Sequence, residues 1–83
     1  MPTVAIIDCI KIQFYWDEHP PPHFHAEYGE YRALIEIETL EVLGGHIPRP
    51  QYRRVVSWAG TRKAALLEAW VKCRSDLNPG KIA

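Results

Sequence analysis

Three histidines fall within seven residues of this chain, at positions 19, 23 and 25, and Glu27 follows two residues after the last. His23, His25 and Glu27 stand at i, i+2 and i+4, the spacing of one face of a β-strand, where alternate side chains lie about 6.5–7 Å apart. Two imidazoles and a carboxylate so spaced are able to converge on one divalent ion, and mixed nitrogen and oxygen donors suit zinc. Hairpin pairing sets Glu36 across from His23, so the candidate metal set is His23, His25, Glu27 and Glu36, with His19 able to fold back from a loop. The same residues support a second chemistry. A histidine beside a carboxylate acts as a general base, and a nearby arginine stabilises a phosphate transition state. His23, His25, Arg32 and Glu36 are therefore the candidate catalytic groups of a metal- or His-dependent nuclease. No nucleophile motif or phosphate-cradling glycine loop accompanies them. A plainer reading stands beside both. Histidines and glutamates on the open face of an antiparallel sheet need no ligand, and the pairs His23–Glu36 and Glu27–Arg32 then serve register alone. The rigid run Pro20-Pro21-Pro22 and Phe24 weigh the other way, as binding loops are often stiffened.

Several elements must position these groups. "IKIQFYW" (residues 10 to 16) alternates, with Ile10, Ile12, Phe14 and Trp16 on one side and Lys11, Gln13 and Tyr15 on the other, which predicts a strand. A shorter strand is expected at residues 3 to 7, with a turn at Asp8 and Cys9. "DEHPPP" cannot join a central strand, because its prolines lack ladder donors. "HFHAEY" and "YRALIEIE" flank Gly29-Glu30, a two-residue loop with glycine first, as a type II′ turn requires. Pairing Tyr28 with Tyr31 sets Ala26 against Ala33 and Phe24 against Ile35, and on the opposite face Glu27 against Arg32, His25 against Leu34 and His23 against Glu36. That register sorts one face apolar and opposes unlike charges; a slip of one residue inverts it. Thr39 and Leu40 then turn the chain into a short strand at about 41 to 44, ended by Gly44-Gly45. From Pro50 the apolar period becomes helical through Val55, Val56, Ala59, Leu66, Leu67, Trp70 and Cys73, with Pro48 and Pro50 suited to a helix start. Gly60-Thr61 is a point where one helix can end and another begin. The unbroken phase of the stripe favours a single long or kinked helix. The fold class expected is α+β: an antiparallel β-meander of four to five short strands, within residues 3–47, packed against a C-terminal helical region at about 50–75. Residues 1–83 form one domain on this reading.

Composition narrows the function classes. Nearly half of the 83 residues are apolar, which predicts a folded domain, near the small end of what a core holds without metals or disulfides. A homodimer or a partner protein is an expected supplement. No apolar run is long enough to cross a bilayer and the N-terminal residues lack a leader's hydrophobic stretch, so a cytoplasmic protein without membrane partners is expected. Cys9 and Cys73 have no paired spacing and read as small buried hydrophobes. The net charge of zero conceals a division. Residues 17 to 46 carry seven carboxylates against Arg32 alone, whereas residues 47 to 83 carry eight cations against Glu68 and Asp76. Such a split implies a polyanion-binding face or charge pairing between parts of the fold. Arg49, Arg53 and Arg54, with Tyr52 and Trp58 close by, are the candidate nucleic-acid contacts.

The order "PTVAIIDCIKIQFYWDEHPPPHFHAEYGEYRALIEIETLEVLGG" followed by "WAGTRKAALLEAW" resembles the small bacterial proteins of domain of unknown function 4160. The most specific part is Pro21-Pro22-His23-Phe24-His25-Ala26, then Tyr28-Gly29, the alternating strand and Trp58-Ala59. The resemblance implies a gene pair with another small protein, in a toxin–antitoxin-like arrangement, and hence a protein-interaction component. The chain departs from the family pattern at His19, His46 and Gly60, which sets His19 and His46 aside as obligatory ligands; His23 and His25 keep their places in the motif.

Overall fold

The computed structural model of the chain describes residues 2–16 and 18–82. Asp17, in the loop expected at residues 17–22, lies outside them. Five strands form one antiparallel sheet in chain order: β1 (Thr3–Ile7), β2 (Ile10–Gln13), β3 (His23–Tyr28), β4 (Tyr31–Glu36) and β5 (Val42–His46). Two helices follow, α1 (Arg49–Gly60) and α2 (Lys63–Arg74).

The central hairpin has the register expected from its alternation. His23 pairs with Glu36, Phe24 with Ile35, His25 with Leu34, Ala26 with Ala33, Glu27 with Arg32 and Tyr28 with Tyr31. Gly29 takes a left-handed φ of +56° and Glu30 does not, as a glycine-first turn demands. Phe24, Ala26, Ala33 and Ile35 are wholly buried, joined by Val4, Ile10 and Ile12 from the neighbouring strands. Val55 and Ala59 of α1 and Leu66, Ala69, Trp70 and Cys73 of α2 close the same core. Burial of one such leucine or phenylalanine contributes about 1.5–3 kcal/mol.

Four details differ from expectation. The strand expected at 10 to 16 ends at Gln13; Phe14 stays buried, but Trp16 turns outward and is 43% exposed. The last strand runs through Gly44-Gly45 rather than stopping there. Gly45 allows this, with φ +75° and no room for a side chain, since a Cβ would stand 2.2 Å from the Arg32 carbonyl oxygen. Cys9 is exposed at the tip of the β1–β2 turn, where Asp8 and Cys9 are both left-handed, while Cys73 is buried as expected. The single long or kinked helix is two short ones. Thr61 and Arg62 leave helical geometry, and the Arg62 backbone N–H bonds the Ala59 carbonyl at 2.9 Å. The Arg62 guanidinium satisfies the Trp58 carbonyl at 2.8 Å, giving the end of α1 a partner that continued helix would otherwise supply. An apolar stripe records which side is buried; it does not record whether the axis is continuous.

Candidate functional site

The site forms where the segment before the proline run lies beside the start of β3. Glu18, in this segment, reaches the two β3 histidines: Glu18, His23 and His25 each offer a ligand atom, and these atoms lie within 4.8 Å of one another. His25 Nε2 makes a short hydrogen bond with Glu18 Oε1, and Tyr15 stacks on the His25 ring at 3.9 Å between centroids and 13° between planes. Tyr15 therefore limits the rotation of His25 and shields one of its faces.

His23 is held differently. Its ring lies 5.0 Å from that of Trp70 on α2 and 5.5 Å from that of His25, and the residue is 5% exposed. Nδ1 of His23 lies 2.8 Å from the Pro21 carbonyl oxygen. A carbonyl only accepts, so Nδ1 carries the proton, and in the neutral ring Nε2 presents a lone pair. Nε2 is fully buried and has no hydrogen-bond partner among the described residues. Its neighbour is Glu18 Oε2 at 3.3 Å, an electrostatic contact without hydrogen-bond geometry. Burial pushes the Glu18 carboxyl up, but His25 and then His23 outweigh it, and the carboxyl lies below its ordinary value.

The expected ligand set is only half assembled. His23 and His25 come together, whereas Glu27 is held by Arg32 through a 3.0 Å ion pair. Glu36 pairs with His23 through the strand backbones but joins no metal-ligating cluster, nor does His19, which is exposed. Arg32 pairs with Glu27 across the strands, its side chain 68% exposed, so the catalytic grouping of His23, His25, Arg32 and Glu36 is not gathered at one point. Nor is the histidine face open to water, because Trp70 and Tyr15 cover it. Glu18 is the residue that spacing did not reveal. It stands across the proline run from the strand, so no strand periodicity applies to it; the stiff loop was the one available sign.

Arg54 pairs with Asp8 in the β1–β2 turn rather than with the acidic strands, and both side chains are well exposed. Arg49 and Arg53 are exposed and take part in no ion pair among the described residues. No described helix is long and apolar enough to cross a membrane.

Neither a curated protein nor a solved structure matches the chain. The family model described as Domain of unknown function (DUF4160) matches residues 9–71, a span that takes in the hairpin, both histidines, Glu18 and Trp70. Since that match covers well over half of the sequence, the chain belongs to the DUF4160 family.

Proposed function

We propose that the protein binds a divalent transition-metal ion, zinc being the best fit, through Glu18, His23 and His25. The observation that carries this reading is His23 Nε2: a buried, unpartnered lone pair set 3.3 Å from a carboxylate oxygen. With His23 neutral these two electron-rich atoms repel at that distance, and a positive charge at this point, a metal ion or a proton on Nε2, reverses the sign. In a tetrahedral site with bonds of about 2.0 Å, neighbouring ligand atoms stand about 3.3 Å apart. The Nδ1–H bond to Pro21 is the outer support that ligating histidines generally have, and it fixes the tautomer that binds through Nε2. Two imidazoles and one carboxylate are a borderline donor set shared by zinc and ferrous sites, and three protein ligands leave a position for water or another ligand.

Elemental analysis of the purified full chain, followed by calorimetric titration of the chelated protein with zinc, tests the proposal. One equivalent that vanishes in Glu18→Gln and in His23→Ala supports it; equal zinc uptake by those variants sinks it. In the nuclease alternative Arg32, held by Glu27, does not supply the cation at this site, and a bound metal ion would have to do so. Cleavage assays on RNA and DNA with zinc-loaded protein decide that point separately.

A second reading, an interaction component of a toxin–antitoxin-like gene pair, draws support from α2 and the turn after it. Leu67 and Val71, one turn apart on α2, are 41% and 59% exposed, and Leu77 beyond the helix is 57% exposed. Co-expression with the neighbouring gene product is the test. Separate elution of the two at micromolar concentration would remove this reading.

A further inference from the structure

The two edges of the sheet are treated differently. The outer side of β1 is met by the C-terminal segment: the Ile82 N–H donates to the Val4 carbonyl at 2.8 Å, and Lys81 Nζ to the Thr3 carbonyl at 2.7 Å. The outer side of β5 pairs with no strand and makes no backbone hydrogen bond among the described residues; Arg49 and Tyr52 of α1 share a cavity with Val42, Gly45 and His46. Its sequence, Val-Leu-Gly-Gly-His, holds no proline, lysine or carboxylate, the residues that natural edge strands commonly use against unwanted pairing. Val42 and Leu43 are 43% and 46% exposed; Leu43 is the extra residue where the register with β4 shifts between Gly44 and Val42, a bulge that twists the edge but leaves its apolar side chains uncovered.

We propose that β5 is the pairing edge for a second copy of this chain, antiparallel about Gly44, joining two sheets into one. The identity of the occupant rests on the charges at the strand's ends. Glu38 and Glu41 lead into β5, and His46 and Arg49 follow it, all of them exposed. An antiparallel copy lays the acidic lead-in of each chain along the basic exit of the other, and two-fold symmetry makes that match twice. A parallel copy sets acid beside acid. The chain's formal net charge of zero adds no general repulsion between copies. At the axis Gly44 brings no side chain to the crossing of the two backbones. The proposal does not depend on metal binding, because no residue of β5 belongs to the Glu18–His23–His25 cluster.

Light scattering coupled to size exclusion, run on the full chain up to on the order of 100 µM, tests it. A short edge buries less than the roughly 1,600 Å² of a standard interface, so the expected dimer is of micromolar strength. Leu43→Lys should weaken association about tenfold or more while leaving circular dichroism and melting unchanged. In a Cys9→Ser background, Gly44→Cys should cross-link to a dimer under mild oxidation. A chain that stays monomeric at the highest concentration overturns the proposal. So does a dimer indifferent to Leu43→Lys but dissociated by Val71→Glu, which assigns the contact to α2. A dimer that fails to cross-link through position 44 refutes the pairing about Gly44, and association only with a different protein refutes the second-copy occupant.

Discussion

Glu18→Gln isolates the metal proposal, because it removes one ligand from a half-buried loop position and leaves both histidines and the core intact. Without metal, the variant should lose only the modest charge pairing of Glu18 with the histidines at neutral pH, since Gln still accepts a hydrogen bond from His25. With zinc the two should part. At free zinc one hundred times the dissociation constant, binding stabilises the folded chain by about 2.7 kcal/mol. In a domain of this size about 1 kcal/mol moves the melting temperature by roughly 4–8 °C, so the wild type should gain about 10–20 °C. If loss of Glu18 weakens affinity about a hundredfold, the same zinc concentration only equals the new dissociation constant and contributes about 0.4 kcal/mol, or roughly 2–3 °C. Scanning fluorimetry across a zinc series, with a chelator as the zero point, reads this directly. His19→Ala and His46→Ala are controls that should keep the full shift, since neither histidine joins the cluster. Equal shifts in wild type and Glu18→Gln, or a shift lost in His46→Ala, would refute the assignment of these three ligands.

Trp70 is 5% exposed and packs against His23, so Trp70→Ala should cost about 3–5 kcal/mol in urea denaturation, whereas Trp70→Phe should retain most of that stability and the zinc response. Gly45→Ala places a Cβ against the Arg32 carbonyl oxygen at positive φ and should destabilise by more than about 2 kcal/mol, while Gly44→Ala should cost about 1 kcal/mol or less. Replacing Arg49, Arg53 and Arg54 with Gln should change folding by about 1 kcal/mol at most, the exposed Arg54–Asp8 pair being the one ion pair lost among the described residues. If these arginines bind nucleic acid, the same triple variant should flatten the salt dependence by about one unit of log–log slope per lost contact. The Glu18 carboxyl is held below its ordinary value of 4.5, so its contribution to the metal-free fold is present above that value and is lost as pH falls through the lowered one; a pH series of melting temperatures should show the Glu18→Gln difference shrinking towards acid.

The hairpin was legible in the sequence because its information is local. Alternation from His23 to Glu36 sorts Phe24, Ala26, Ala33 and Ile35 onto one face, and Gly29 sets the turn, so only one register buries the apolar side. The pairing of His23 with His25 on one face follows from the same period. Strand ends were less legible, since Trp16 carries the alternation of β2 one step past the point where the chain turns away. The break at Thr61-Arg62 depends on a guanidinium reaching back to the Trp58 carbonyl, which an apolar stripe does not record. Tertiary structure alone decided the site. Glu18 and not Glu27 or Glu36 joins the histidines, because a loop lies back over β3 while Arg32 takes Glu27. His23 is buried by Trp70, a residue of the second helix, and the edges of the sheet differ because the C-terminal segment hydrogen-bonds the outer side of β1 while no described backbone hydrogen-bonds the outer side of β5. Periodicity encodes which face of an element is dry; which distant segment covers that face, and which polar groups it brings, is settled only when the elements pack.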